Sequence, residues 1–249
     1  MNLLTLHWPG EAKSMRRRIV IEGLVLGGLP LALTWALKPA LAAFWQTVIA
    51  FWGDRLGGRW AQLPLELSGP TIWSVPNDGT TLPSSSTLLW TWLGVCAVWT
   101  ASLWLSDRFH PLKVFVRALC LVQGCACLFF MWSPSSFPYT LSRHVQALLD
   151  MGYGLMLATG PMLALGWGLF VRSVTARLLT PLAVLAYFSL MLPHKALLHA
   201  WLIDRGSALF MPVLFLCFGI WLDGWMFIAL YGWLTSRIPR EPAIAKLRP

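Results

Sequence analysis

Residues 208–233, ALFMPVLFLCFGIWLDGWMFIALYGW, decide the class of this protein. Asp223 is the only charged residue in this segment. A helix needs about 20 apolar residues to cross the roughly 30 Å of hydrocarbon in a bilayer. In lipid, a single segment can satisfy its own backbone hydrogen bonds only as a helix. The segment therefore predicts a transmembrane helix.

Five further apolar stretches precede this one along the chain, beginning near Ile19, Thr87, Val114, Ala147 and Leu178. The composition agrees with them: 57% of the residues are hydrophobic and 12% are charged, whereas soluble domains carry about 25% charged residues. We expect an all-α polytopic membrane protein, in which residues 19–236 form one bundle of about six transmembrane helices.

The first apolar stretch has some features of a signal peptide. The basic residues 16–18 precede it, and residues 40–42 read Ala-Leu-Ala, which resembles a cleavage site. However, Glu22 interrupts the stretch, which is also far longer than a secretory apolar region. We favour an uncleaved anchor that bends at Pro30 and Pro39.

Of the 19 lysine and arginine residues behind the net charge of +9, thirteen gather at one set of helix ends and six lie on the other side. The thirteen residues are Lys13, Arg16, Arg17, Arg18, Arg108, Lys113, Arg117, Arg172, Arg177, Arg237, Arg240, Lys246 and Arg248. The positive-inside rule then places residues 1–18 and the basic tail 237–249 in the cytoplasm. The charge thus indicates topology and a lipid bilayer environment, and no nucleic-acid partner is expected.

Residues 54–86 form the only sizeable connector, which is extracytoplasmic in this topology. Residues 63–68 and 71–75 read as two short strands, and Pro-Asn-Asp-Gly at 76–79 is a strong turn signal. We expect a small β-hairpin here, which would need a helix or a partner to cover it.

A second extracytoplasmic element is expected at residues 193–207. Leu198 and Trp201 are apolar there, while Lys195 and Arg205 are charged. This pattern predicts an amphipathic helix that lies on the outer membrane surface.

Charged residues inside the apolar stretches are costly to bury unless they are paired. Arg18 and Glu22 lie four residues apart and can pair within one helix. We expect Arg117 of the third span to pair with Asp223 of the sixth, since both lie on the cytoplasmic side of the membrane centre. Docking of a partner and transport remain open as other roles for these charges.

Small residues recur every four positions in the fourth span, at Gly160, Ala164 and Gly168. They share one helix face and allow close approach of another helix. This face either packs within the bundle or docks a second protein.

Catalysis is the less favoured interpretation, and we assign no catalytic residue. The arrangement with the most chemical promise is Cys125 or Cys127 as a nucleophile with Arg143 and His199. Both cysteines lie in an apolar helix, which disfavours a reactive thiolate. The cysteine and histidine spacings do not converge on a metal, and nucleotide-binding, serine hydrolase, zincin and C-x-x-C motifs are absent. We expect no metal and no cofactor.

The segment 111–233 resembles the membrane proteins that accompany exosortases in Gram-negative bacteria. The residues that carry the resemblance are Phe-Pro-Tyr at 137–139, Leu-Leu-His-Ala-Trp at 197–201, Ala-Leu-Phe-Met-Pro at 208–212, Phe-Gly at 218–219, Leu-Asp at 222–223 and Ala-Leu-Tyr-Gly-Trp at 229–233.

This resemblance implies a multi-pass protein of the bacterial inner membrane that is an accessory to protein sorting or envelope assembly and has a membrane-protein partner. Exosortases carry a cysteine in an Ala-Cys-Ser-Gly-like context, from which Gly-Cys-Ala-Cys at 124–127 departs. We therefore favour a non-catalytic accessory subunit. The alternatives are a cysteine-type membrane peptidase or transpeptidase and a small transporter.

Overall fold

The computed structural model describes residues 9–56, 81–170 and 174–236. The described residues contain no strand, so the predicted all-α class is confirmed for them. The helices are α1 (Pro9–Ala36), α2 (Lys38–Leu56), α3 (Ser85–Leu103), α4 (His110–Trp132), α5 (Leu141–Phe170), α6 (Val174–Gly206), α7 (Met211–Val213) and α8 (Leu222–Ser236). The predicted β-hairpin lies outside the described residues.

Five helical segments in the described part of the chain are long and apolar enough to cross a membrane. They are Ser85–Leu103, Asp107–Trp132, Leu141–Ala164, Leu179–Gly206 and Ala208–Leu234. A sixth is obtained if Gly23–Ala36 and Lys38–Trp52, which are separated by a break at Leu37, count as one span. The expected multi-pass architecture of about six spans agrees with this result.

Helix α6 corrects the expected surface helix at residues 193–207. The structure continues α6 without interruption to Gly206. Ala196, His199 and Ile203 are each at most 2% exposed. Their spacing of i, i+3 and i+7 places them on one face, and this face packs inward rather than lying on a surface.

The last span contains several helix types in succession. It opens with a 3-10 turn at Ala208–Phe210 and continues through α7 into a π-helix at Leu214–Trp221, which α8 follows. A π-helix of eight residues is unusual, since most π-helical segments in proteins are single turns.

The helices form two compact units. The first consists of Met1–Pro39, Gly154–Phe188 and Trp225–Pro249, and the second of Ala40–Tyr153 and Ser189–Gly224.

In the first unit, α1 and α5 approach each other closely at glycines. A Cβ atom added to Gly160 would collide with the carbonyl oxygen of Gly27, and one added to Gly27 would lie 2.8 Å from Cβ of Ala164. Two of the three small residues predicted to pack a helix, Gly160 and Ala164, thus meet α1. The surroundings of Gly168, and the side chains of Arg18 and Glu22, lie outside the described part of the chain.

In the second unit, buried side chains tie α2 and α4 to the later helices. The fully buried Trp45 donates from Nε1 to the carbonyl oxygen of Ser189, at 2.8 Å. Gln123 donates from Nε2 to the carbonyl oxygen of Leu209, at 3.1 Å. These bonds satisfy polar groups that would otherwise be buried alone.

The turn between α6 and the last span centres on Ser207. This residue has a φ of 137°, and the structure describes no other non-glycine residue with a positive φ. Its amide donates to the carbonyl oxygen of Ile203 at 2.9 Å, and the amide of Ala208 donates to that of Thr81 at 3.1 Å. Backbone hydrogen bonds of Ser207 and of Ala208 thus stabilise the strained turn.

Candidate functional site

Asp223 forms an ion pair with Lys195 in the second unit. The two side chains are 14% and 12% exposed, respectively, so little water reaches either charge. Lys195 lies on α6 and Asp223 in the first turn of α8. A carboxylate and an ammonium that are paired in this way avoid the cost of a lone buried charge.

The observed pair corrects the predicted partner of Asp223. Arg117 instead donates from Nε to Oγ of Ser102 at 3.2 Å, and its guanidinium carbon is 5.7 Å from the ring centroid of Trp99. Both of these contacts lie on α3, with which α4 packs. Arg117 and Asp223 lie at similar depths in the predicted topology, which was the reason to expect the pair. The guanidinium of Arg117 instead interacts with a hydroxyl and an aromatic ring of α3.

Two buried histidines meet beside this ion pair along α6. Nε2 of His144 lies 3.3 Å from Nδ1 of His199, and the residues are 0% and 2% exposed. His199 is one helical turn beyond Lys195, so the two side chains share a face of α6. The ring centroids of Phe215 and His144 lie 5.8 Å apart, so the phenyl ring covers the imidazole on another side.

The two imidazoles cannot satisfy all of their nitrogens. A hydrogen bond between two rings needs one N–H and one lone pair, so either orientation leaves Nδ1 of His144 as a free donor or a free acceptor. This atom is buried and has no hydrogen-bond partner among the described residues. Oε1 of Gln123 is likewise buried without a partner in the described part of the chain.

Together, His144, His199, Lys195 and Asp223 form a polar cluster contributed by α5, α6 and α8. The lysine and the carboxylate compensate each other's charge. Within the described residues, no group of three or more histidine, cysteine, aspartate or glutamate side chains could hold a metal ion. The arrangement can bind helices to one another through buried polar contacts.

The structure does not assemble the residues considered for catalysis. Cys125 is exposed, whereas Cys127 is buried. Neither cysteine is hydrogen-bonded to His199 in the part of the chain that the structure describes, and Nδ1 of His199 faces His144 instead. Arg143 is exposed and lies over the ring of Tyr139, with its guanidinium carbon 5.4 Å from the ring centroid.

The sequence contained one signal for the cluster that the prediction did not use. Lys195 and His199 have the i, i+4 spacing of residues that share a helix face, and a short turn joins their helix to the one that carries Asp223. A surface helix at residues 193–207 would keep both residues away from Asp223, which is why this spacing alone does not predict the pair.

Comparisons of this chain with protein-family models, with curated proteins and with solved structures gave no match.

Proposed function

We propose that this chain is a non-catalytic, multi-pass accessory subunit of the bacterial inner membrane, which docks a membrane protein of an exosortase-type sorting or envelope system. The resemblance of residues 111–233 supports the kind of system. The surface of α3 supports the mode of action and is the observation that carries the proposal.

One face of α3 and its C-cap carries small residues between two tryptophans. Trp90, Gly94, Ala97, Ala101 and Trp104 recur at i, i+4, i+7, i+11 and i+14, so they lie along one stripe. The tryptophans are 72% and 84% exposed. A Cβ atom added to Gly94 would meet no atom of the described residues within 4 Å.

Such a stripe suits the docking of another transmembrane helix. In lipid, helices associate through close backbone contact at small residues, because there is no hydrophobic driving force between them. Within α3 only Ser102 is buried, and the residues of the stripe are all exposed and so accessible to a partner. The two tryptophans also suit the membrane interfaces at either end.

The buried polar cluster supports a structural role over the two alternatives. A cysteine peptidase needs a nucleophile beside a base, yet the described contacts of His199 lead to His144 and not to Cys125 or Cys127. A transporter needs ionisable groups along a polar path, whereas Lys195 and Asp223 are engaged with each other.

Site-specific photocrosslinking from position 97 in the native host tests the proposal. We expect an adduct with an integral membrane protein of the sorting system. Gly94→Ile combined with Ala101→Ile should abolish this adduct while the chain still folds, because the side chains project into open space. Gly154→Ile is the matched control, since an added Cβ atom there also meets nothing within 4 Å, and this variant should retain the adduct.

Adducts with lipid alone, or with a second copy of the chain, would contradict the proposal. The variant with both Cys125→Ala and Cys127→Ala separates it from the peptidase alternative. We expect this variant to retain full function in the host. Loss of function with normal folding and a normal adduct would favour the peptidase.

A further inference from the structure

An open groove of about 300 Å³ lies between the end of α2 and the second half of α6. Its lining consists of five apolar side chains and one imidazole, contributed by Trp52, Leu56, His194, Leu197, Leu198 and Trp201. The groove does not include Lys195 or Asp223, so it is separate from the polar cluster.

The α6 side of the groove ends in a cation. His194, Leu198, Trp201 and Arg205 recur at i, i+4, i+7 and i+11, which places them in one stripe along the helix. The guanidinium carbon of Arg205 lies 6.0 Å from the ring centroid of Trp201. The neighbouring carboxylate, Asp204, is exposed and lies about 100° around the helix from Arg205.

The α2 side of the groove also has an arginine next to its lining residues. Arg55 is three residues from Trp52 and adjacent to Leu56, at the last turn of α2. Its guanidinium lies over the ring of Phe51, 3.6 Å from the centroid, and donates to the carbonyl oxygen of the same residue at 3.0 Å. A guanidinium has five N–H groups, so donors remain for an anion.

The position of the groove along the helices matches the edge of a membrane. The apolar segments Lys38–Trp52 and Leu179–Gly206 both end beside it. Tryptophan is enriched at the level where hydrocarbon gives way to headgroups, and Trp52 and Trp201 would lie near this level if both segments cross a bilayer. The exposed Arg55 and Arg205 follow them near the helix ends and would then lie at the depth of the lipid phosphates.

We propose that this groove binds an anionic phospholipid. An acyl chain lies along Trp52, Leu198 and Trp201, and Arg55 and Arg205 hold the headgroup phosphate. Guanidinium groups suit this role because their donors match phosphate oxygens in pairs. The combination of an apolar concave wall with an arginine near the end of each of its two helices distinguishes this site from ordinary contact with bulk lipid. The proposal is independent of the docking face on α3.

Native mass spectrometry of the purified full-length protein tests the proposal. Equal concentrations of dioleoyl phosphatidylglycerol and dioleoyl phosphatidylcholine are added, and the bound fraction of each lipid is compared. We expect phosphatidylglycerol to be retained preferentially, because the choline of phosphatidylcholine offsets the charge of its phosphate. Each arginine should contribute about fivefold to the preference. The double variant Arg55→Gln with Arg205→Gln should bind both lipids equally.

Two further variants control this experiment. Leu198→Trp should fill the groove and reduce the binding of both lipids, and the fold should tolerate it because Leu198 is 54% exposed. Arg143→Gln removes an exposed arginine that also lies over an aromatic ring, and it should leave the preference intact. Equal retention of the two lipids by the unmodified protein, a preference that survives the double arginine variant, or binding unchanged by Leu198→Trp would overturn the proposal.

Discussion

Lys195 and Asp223 remove each other's net charge from a part of the chain that is apolar enough to lie in lipid. Asp223→Asn should leave an uncompensated ammonium and destabilise the protein by about 3–5 kcal/mol. The double variant Asp223→Asn with Lys195→Gln should recover most of this loss, because two neutral side chains replace two charges. Unfolding of the purified protein in detergent, followed by the helical circular dichroism signal, measures both effects.

The pair between Lys113 and Asp107 is the matched control. Its Nζ and Oδ1 atoms lie 3.4 Å apart, but the Asp107 side chain is 95% exposed. Asp107→Asn should therefore change stability little, since exposed ion pairs contribute at most about 1 kcal/mol. If the single and double variants at Asp223 and Lys195 prove equally unstable, the two residues do not act as a pair.

At the scale of residues, the sequence showed that Asp223 needs a partner but did not identify that partner. A lone carboxylate in an apolar helix has to have a partner, and this much follows from composition alone. The identity of the partner depends on which helices are neighbours and on how each is rotated. For Arg117, the hydroxyl of Ser102 and the ring of Trp99 decided the outcome. Neither contact is encoded in the spacing of residues along one helix.

At the scale of helices, the contact between α1 and α5 depends on the absence of a side chain at Gly160. Gly160→Val would force a methyl group against the backbone of Gly27 and should destabilise the protein by about 1–3 kcal/mol. Gly154→Val on the same helix meets open space and should have little effect. Thermal unfolding of the two variants in the same detergent provides the comparison. Equal loss at both positions would mean that the close approach of Gly160 to Gly27 does not determine the result.

The turn at Ser207 allows a second test at this scale. A serine with a φ of 137° and a ψ of 174° occupies a region that suits glycine, at a cost of about 1–3 kcal/mol. Its Oγ atom accepts a hydrogen bond from the amide of Leu209 at 3.4 Å. Ser207→Gly should relieve the strain and raise the unfolding temperature. Ser207→Ala should lower it, because the strain remains and the hydrogen bond is lost. The reverse order would exclude strain at this turn.

At the scale of the whole molecule, the distribution of basic residues predicts that both termini lie in the cytoplasm. The native cysteines are first replaced, and a single cysteine is then introduced at Asn77 or at Ser106. We expect a membrane-impermeant thiol reagent added to intact spheroplasts to label position 77, and to label position 106 only after the membrane is opened. Labelling with the opposite pattern would reverse the topology.

The fold class was predictable from sequence because hydrophobicity and length act locally, one segment at a time. The break at Leu37 lies close to the predicted bend at Pro39. It was also predictable from sequence, since proline removes a backbone hydrogen-bond donor. The extent of α6 was not predictable. Its second half contains Lys195 and His199, one helical turn apart, so its composition resembles that of a surface helix. Only the neighbouring helices show that this part is buried.

The π-helix at Leu214–Trp221 determines how the side chains that follow it in the last span are rotated about the helix axis. Each residue added to or removed from a helix turns the downstream side chains by about 100°. Insertion of a single residue after Trp221, where α8 begins, would turn Asp223 by about this angle and swing it away from Lys195. A one-residue indel here should therefore be as damaging as the loss of the carboxylate, although no charge has changed. The number of residues in this segment, and not only the chemistry of its side chains, therefore determines whether Asp223 can pair with Lys195.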